Sequence, residues 1–382
     1  MRLLFSARPA HGHLHPLLPL ALAARAAGHE VTFATGAAFL PRLRQEGFEV
    51  HEAGIGVAEA EAEARRRCGD GADPIELILT MFTDVLPRRT STDLDPVLAD
   101  RRPDLVVYEQ SDVGAVAAAR RAGVPAVSHI IGRSLPDPVR ARAAERLAWV
   151  WEGETPHDPL AGDRCLDIWP PSLRDPSTHA IPTRIPVRPT PWSGAAPLPE
   201  IATAPRERPL VYLTLGTVAF GAVETLRTAV EGLSRLPVDV LVATGPGDPA
   251  ALGEVPASVQ VEGFVDQARL LPHVDLVVHH GGTGTLLGAF AAGLPQLLLP
   301  RGADQFVNAE VVAELGAGRR LVGPEVTAEA VTEQARALLA DATAAETATR
   351  VAAEIAEMPA PADVVPALIE LAGTRPEPSS PL

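Results

Sequence analysis

One segment constrains this chain more than any other: Asp275-Leu276-Val277-Val278-His279-His280-Gly281-Gly282-Thr283-Gly284-Thr285. An apolar stretch suited to a buried strand opens directly into glycines and small hydroxyls. Those open in turn into an Ala/Leu-rich, helix-like run that ends before Pro295. This order places the unpaired N–H groups of a helix's first turn just beyond a strand end. The amides and the helix dipole together stabilise a phosphate there. Two imidazoles stand at the mouth, and Ala303-Asp304-Gln305-Phe306-Val307-Asn308 brings an acid and an amide to the end of the next strand. A nucleotide diphosphate carrying a polyhydroxylated group suits this pattern.

Short apolar runs alternate with helix-like segments along most of the chain, which predicts parallel, doubly wound sheets. Strands are expected over residues 2–7, 30–34, 48–51, 104–108 and 125–129. After a change of composition, further strands are expected over 210–215, 238–243, 259–262, 276–279 and 296–299. Residues 8–15 read as a loop. Residues 58–100 and 135–155 read as helical and irregular insertions of the kind that shape a variable pocket. Prolines are dense from 168 to 209, and the later part reads as a linker. The 382 residues therefore divide into an N-terminal domain over 1–191, a linker over 192–208, a C-terminal domain over 209–373 and a disordered tail over 374–382. The last helix is placed to pack back on the N-terminal domain. Two α/β domains of this kind present a cleft between the carboxyl ends of their sheets, where ligands bind.

Composition removes several function classes. The formal charge is -15 and no basic stripe exists, which argues against a nucleic-acid partner. All 33 basic residues are arginine. Without lysine there is no P-loop and no Schiff-base chemistry. Arg65-Arg66-Arg67 follows Glu59, Glu61 and Glu63 and reads as a solvated helix face. Cys68 and Cys165 form neither a metal spacing nor a disulfide framework. With no signal-like or membrane-length apolar run, the expected setting is the cytoplasm, without stable membrane insertion. A homodimer is compatible with this reading.

Gly263-Phe264-Val265-Asp266-Gln267, the His279–Thr285 segment, Pro300 and Ala303-Asp304-Gln305 with Asn308 occur in the order and spacing of a known signature. The chain from about 210 to 321 thereby resembles the donor domain of nucleotide-sugar glycosyltransferases. These are GT-B enzymes of antibiotic tailoring, macrolide inactivation and plant natural-product glycosylation. Ala10-His11-Gly12-His13-Leu14-His15-Pro16 and Pro103–Tyr108 match the acceptor domain of the same family. The resemblance implies two Rossmann-like domains and no cofactor beyond a dTDP- or UDP-sugar co-substrate. It implies that the backbone at Val265, near Phe264, holds the base, and that His279 contacts phosphate while His280 occupies a more variable position. Gly281, Gly282, Thr283, Gly284 and Thr285 would surround the diphosphate, and Asp304 and Gln305 would bind sugar hydroxyls. Gly216 and Thr217 would face the same ligand. Preorganised donors of this kind stabilise a leaving diphosphate without a metal. Uridine-specific relatives commonly carry a glutamate where this chain has Leu287, which leans the reading toward a dTDP-deoxysugar.

For the acceptor, His11 is the candidate general base, with His13 as the alternative position used by some relatives. A histidine suits removal of a hydroxyl proton near neutral pH. Relatives orient that histidine with an aspartate; here the position holds Glu109, a departure, and Asp112 competes a turn later. The implied reaction is a single displacement with inversion, transferring a sugar to a small natural-product acceptor. Readings of other kinds remain beside it. Gly282–Gly288 imitates a dinucleotide fingerprint, as in an NAD-dependent oxidoreductase, although it sits late in its domain. A nucleotide-sugar epimerase would share the architecture. Asp93-Leu94-Asp95 is read as capping or surface-exposed residues rather than a metal site. His15 and His129 are read as packing or turn residues, and Trp149 and Trp151 as core or acceptor-pocket residues.

Overall fold

The structure is a computed structural model, which describes residues 1–69, 71–192, 194, 197–216 and 222–373. Thr217, expected beside the nucleotide, and the tail 374–382 lie outside the described residues. Contacts divide the chain into two compact units. The first comprises Met1–Trp169, Arg174–Arg188 and Pro359 onward; the second comprises Pro170–Leu173 and Pro189–Met358.

The first unit holds seven parallel strands: β1 (Arg2–Ser6), β2 (Glu30–Thr35), β3 (Glu49–Glu52), β4 (Leu105–Glu109), β5 (Ala126–His129), β6 (Arg164–Asp167) and β7 (Thr183–Pro186). Their order is β3-β2-β1-β4-β5-β6-β7. The order reverses between β1 and β4, whose register runs from Leu3 opposite Leu105 to Ser6 opposite Tyr108. Ligands of such sheets bind beyond the carboxyl ends at this reversal. β6 and β7 were not legible as strands. Each has only four residues; β6 pairs with β5 and β7, and β7 is the edge, where Pro186 is tolerated because an edge strand can omit one amide donor.

Residues 8–15 are not a plain loop. A helical turn, His11–Leu14, begins five residues after β1, and a 3-10 turn, His15–Leu17, leads into the helix Leu18–Ala26. That helix packs against the last helix, Pro361–Gly373. The insertion is a near-continuous helical stretch, Pro74–Thr80, a π turn Met81–Val85 and Leu86–Arg101. Within it Asp93 accepts from the Gly54 amide and from Arg89, and Asp95 pairs with Arg121, so neither caps a helix. Arg65, Arg66 and Arg67 lie on Val57–Cys68 and pair with Glu61 and Glu63 along that helix. Trp151 is buried in the core, with Trp149 packed beside it under the Arg88 guanidinium.

The second unit holds β8 (Leu210–Thr214), β9 (Asp239–Ala243), β10 (Val259–Glu262), β11 (Leu276–His279), β12 (Gln296–Leu298) and β13 (Gly318–Arg320). All are parallel, in the order β10-β9-β8-β11-β12-β13, with the reversal between β8 and β11. Both faces are buried, which is why these strands read as continuous apolar runs. Val211, Leu213, Val240, Val242, Leu276 and Val278 enter one core, while Leu210, Tyr212, Leu241 and Val277 enter the other. The alternation is the two-residue period of a strand. Each such side chain contributes about 1.5–3 kcal/mol. The expected linker is part of this unit: Leu198, Ile201 and Ala202 pack into the second of these cores. Proline density there marks irregular backbone, not a break in packing.

Candidate active site

At the β1/β4 reversal, the segment after β1 supplies Arg8, His11 and His13, and the segment after β4 supplies Glu109, Ser111 and Asp112. Glu109 is fully buried, and its carboxylate collects donors: Arg8 Nε at 3.1 Å, Ser111 Oγ at 2.7 Å and His13 Nδ1 at 3.1 Å. Burial alone would raise the Glu109 carboxyl; the His13 ring and the Arg8 guanidinium outweigh it and hold it well below the usual range. A carboxylate only accepts, so the proton of His13 sits on Nδ1 and the Nε2 lone pair is left over. In this structure that lone pair faces Arg8 Nη2 at 3.0 Å. Arg8 also lies over the Phe82 ring, which ties the π turn of the insertion to this cluster.

The partner of Glu109 is therefore His13, not His11. His11 Nδ1 lies 3.3 Å from His15 Nε2, and the His11 ring meets Phe39 edge-on. The reason is geometric. His11 and His13 are two residues apart on one helical turn, so they point about 200° apart and cannot share a carboxylate. Burial lowers the His11 ring's affinity for a proton and takes His15 down to about 4. Asp112 lies under the cluster and accepts from Ser6 Oγ at 2.6 Å. Burial, and then the Glu109 charge, push it up to about 6. Two neighbouring carboxyls are thus driven apart, one ionised and one reluctant to ionise. His129 is buried, with Nδ1 on the Ile130 carbonyl.

At the β8/β11 reversal stands the glycine loop. The helix Thr283–Ala291 begins at Gly282, whose backbone is extended and which offers no capping side chain. A Cβ added at Gly284 would meet open space. The backbone amides of this first turn are thus the available donors. The neighbouring side chains are largely engaged: Thr283 Oγ donates to Asp304 Oδ2 at 3.2 Å, and Thr285 Oγ to Gln267 Oε1 at 3.2 Å. The expectation that these hydroxyls face a diphosphate is corrected to that extent. Gln305 is buried, and its Oε1 accepts the amides of Arg301 at 2.8 Å and Gly302 at 3.1 Å. Only its NH2 group is left for a sugar hydroxyl.

The two histidines differ. His279 is fully buried, with Nε2 2.8 Å from Gln296 Oε1 and Nδ1 accepting the Gly281 amide at 3.1 Å. Burial lowers it to about 3, so the ring is neutral. An imidazole whose nitrogens are both used inside the protein does not present itself to phosphate, and the expected contact from His279 is corrected accordingly. His280 is half-buried and its ring lies between two glycines. A Cβ at Gly216 would come within 2.5 Å of its Cε1, and one at Gly282 within 2.4 Å of its Nε2. Burial lowers its proton affinity to about 4, against the pull of the Thr214 carbonyl. At the end of β10, Phe264 is 62% exposed while Val265 packs against the core. The neighbouring Gly245 amide donates to the Gly263 carbonyl at 2.8 Å. Leu287, at 3% exposure, is a core residue and offers no polar atom.

Arg8, Ser111 and Gln296 were not among the expected site residues. Gln296 carried a signal: a polar side chain opening an apolar strand needs a buried partner. Arg8 carried none beyond its place after β1. No group of three His, Cys, Asp or Glu suited to a metal occurs among the described residues, and no described helix is long and apolar enough to cross a membrane.

Comparison with known proteins accords with both units. Residues 227–371 match the family model described as erythromycin biosynthesis protein CIII-like, C-terminal domain, and residues 17–156 match a glycosyl transferase 4-like domain. The elloramycin glycosyltransferase ElmGT of Streptomyces olivaceus is 34% identical, over 95% of this chain and 96% of that protein. Among solved structures, the glycosyltransferase SnogD from Streptomyces nogalater superposes with a TM-score of 0.78 at 29% identity, covering 98% of this chain and 99% of that one. SsfS6, a Streptomyces glycosyltransferase complexed with thymidine diphosphate, gives 0.80 at 26%, covering 97% and 99%. The sheet order of the second unit is shared with dinucleotide-binding domains, but its glycine loop follows the fourth strand of the domain, not the first. With a relative of this identity matched along nearly its whole length, the chain belongs to the GT-B glycosyltransferases of antibiotic tailoring.

Proposed function

We propose that this protein transfers a deoxysugar from a dTDP-sugar to a hydroxyl of a small natural-product acceptor, with inversion at the anomeric carbon. The observation that carries the donor side is the helix start at Gly282, which has no side-chain cap, with space at Gly284, where an added Cβ would meet nothing within 4 Å. A helix N-terminus of this kind accepts the charge that grows on a departing diphosphate, so no metal is needed for that step. The apolar Leu287 leaves no acceptor for a ribose 2′-hydroxyl, which suits a deoxyribonucleotide. The thymidine diphosphate complex of SsfS6 supports the same choice.

His13 is the proposed base. An acceptor hydroxyl takes the place of Arg8 Nη2 at the Nε2 lone pair and gives up its proton there. Its oxygen bonds to the anomeric carbon as the bond to the diphosphate oxygen breaks. Glu109 stabilises the imidazolium formed. A thermal-shift series with dTDP, UDP, GDP and NADH tests the donor assignment. The largest rise is expected with dTDP; a larger rise with NADH would overturn the reading.

A further inference from the structure

We propose that Gln296 is a positioning residue for the diphosphate loop, acting through His279 as a relay that touches no ligand. The relay is a chain of fully buried hydrogen bonds. Gln296 Oε1 lies 2.8 Å from His279 Nε2, and its Nε2 donates to the Leu286 carbonyl at 3.4 Å. Because an amide oxygen only accepts, it selects the imidazole tautomer with the proton on Nε2. His279 Nδ1 is then an acceptor, and it takes the Gly281 N–H at 3.1 Å. The Gly281 carbonyl is held from the other side by Asn308 Nδ2 at 2.9 Å.

Both backbone groups of Gly281 are thus committed. Its φ of 93° is in the region that favours glycine, and an added Cβ would stand 3.0 Å from the Gln305 carbonyl oxygen. With Gly281 pinned, Gly282 and the first turn of Thr283–Ala291 follow in one direction, and their amides are aimed before any ligand arrives. The other tautomer, or an imidazolium, would turn Nδ1 into a donor facing the Gly281 donor. The inference rests on reading this loop as the diphosphate cradle, and it moves the role of His279 from contact to support, with Gln296 setting its proton.

The test uses the full-length protein labelled with 15N-histidine. Long-range 1H–15N spectra are expected to show His279 in the Nε2–H form, with its Nδ1 signal unmoved when dTDP is added. Gln296→Met keeps the volume and removes the acceptor. It is expected to weaken dTDP binding by about tenfold at temperatures well below its unfolding transition, the scale of one buried hydrogen bond's loss. The acceptor KM is expected to stay within about twofold. A residue that merely stabilises the fold would lower Tm and leave dTDP affinity alone. Three results overturn the proposal: an Nδ1–H tautomer, a His279 Nδ1 signal that shifts on dTDP binding, or wild-type dTDP affinity in Gln296→Met. The tautomer is read on wild-type protein, so a variant that fails to fold does not leave the question open. If dTDP binds nowhere, the donor reading falls while the tautomer still judges the relay.

Discussion

On the proposed reading, the two units solve different chemical problems at the same topological position. Each sheet reverses between its first and fourth strands, and each places its polar residues beyond those strand ends. In the first unit the residues are ionisable side chains: Arg8 and His13 on the Glu109 carboxylate, with Asp112 beneath. In the second the groups around the glycine loop are neutral apart from Asp304: glycine amides, a neutral His279, Thr283, Asn308 and Gln296. Removing a proton requires a group that titrates near working pH and a partner that stabilises the result. Holding an anion steadily is better done by donors that do not titrate at all. Like folds therefore diverge in the charge state of two loops.

The largest break in this contrast is expected at His13. His13→Ala should lower turnover by about 10²–10⁴-fold, the usual contribution of a general base, with dTDP affinity unchanged. Steady-state kinetics with a dTDP binding isotherm checks it. His11→Ala should cost far less, and the reverse ranking would return the base to His11. Next comes the neutral loop. Gly216→Ala forces a Cβ into the His280 ring at a φ of 76°, so a loss of about 2–3 kcal/mol in stability or dTDP binding is expected. Calorimetric titration with dTDP reads it, and an unchanged Kd and Tm would show that the ring moves freely.

A third prediction concerns Asp112, whose carboxyl is raised from 3.8 to about 6 by burial and by Glu109. The folded state then binds this proton more tightly than the unfolded chain. Its favourable contribution is present in full below pH 4 and is lost as pH rises through 6. Asp112→Asn keeps an acceptor for Ser6 and removes the charge, so it should raise stability at pH 7–8 by about 1–3 kcal/mol. Denaturation at pH 5 and pH 8 would show the gain growing with pH; a gain that shrinks refutes the assignment. The smallest effect is expected from metal removal. If backbone amides take the diphosphate charge as proposed, dialysis against EDTA should leave turnover within experimental scatter, and a loss restored by Mg²⁺ would contradict this.

Much of the molecule was legible from residue order. The apolar runs at 276–279 and 210–214 announce strands because both faces are buried, and the glycines after His280 announce the loop that follows. β6, β7 and the short β13 escaped, since Arg164–Asp167, Thr183–Pro186 and Gly318–Arg320 mix in charged residues and hold no apolar run. The His13–Glu109 pairing escaped too. Spacing along the chain cannot say which of two histidines, pointing opposite ways from one turn, meets a carboxylate about a hundred residues away.

Residue order by itself determined the class of fold, the position of the glycine loop and the absence of lysine chemistry, because these follow from local periodicity and composition. Tertiary structure alone decided which partner each ring nitrogen meets, which histidine faces Glu109 and which lies against Gln296. Those outcomes depend on side chains from distant strands meeting out of water, where hydrogen-bond partners and charge are set by neighbours in space, not in sequence.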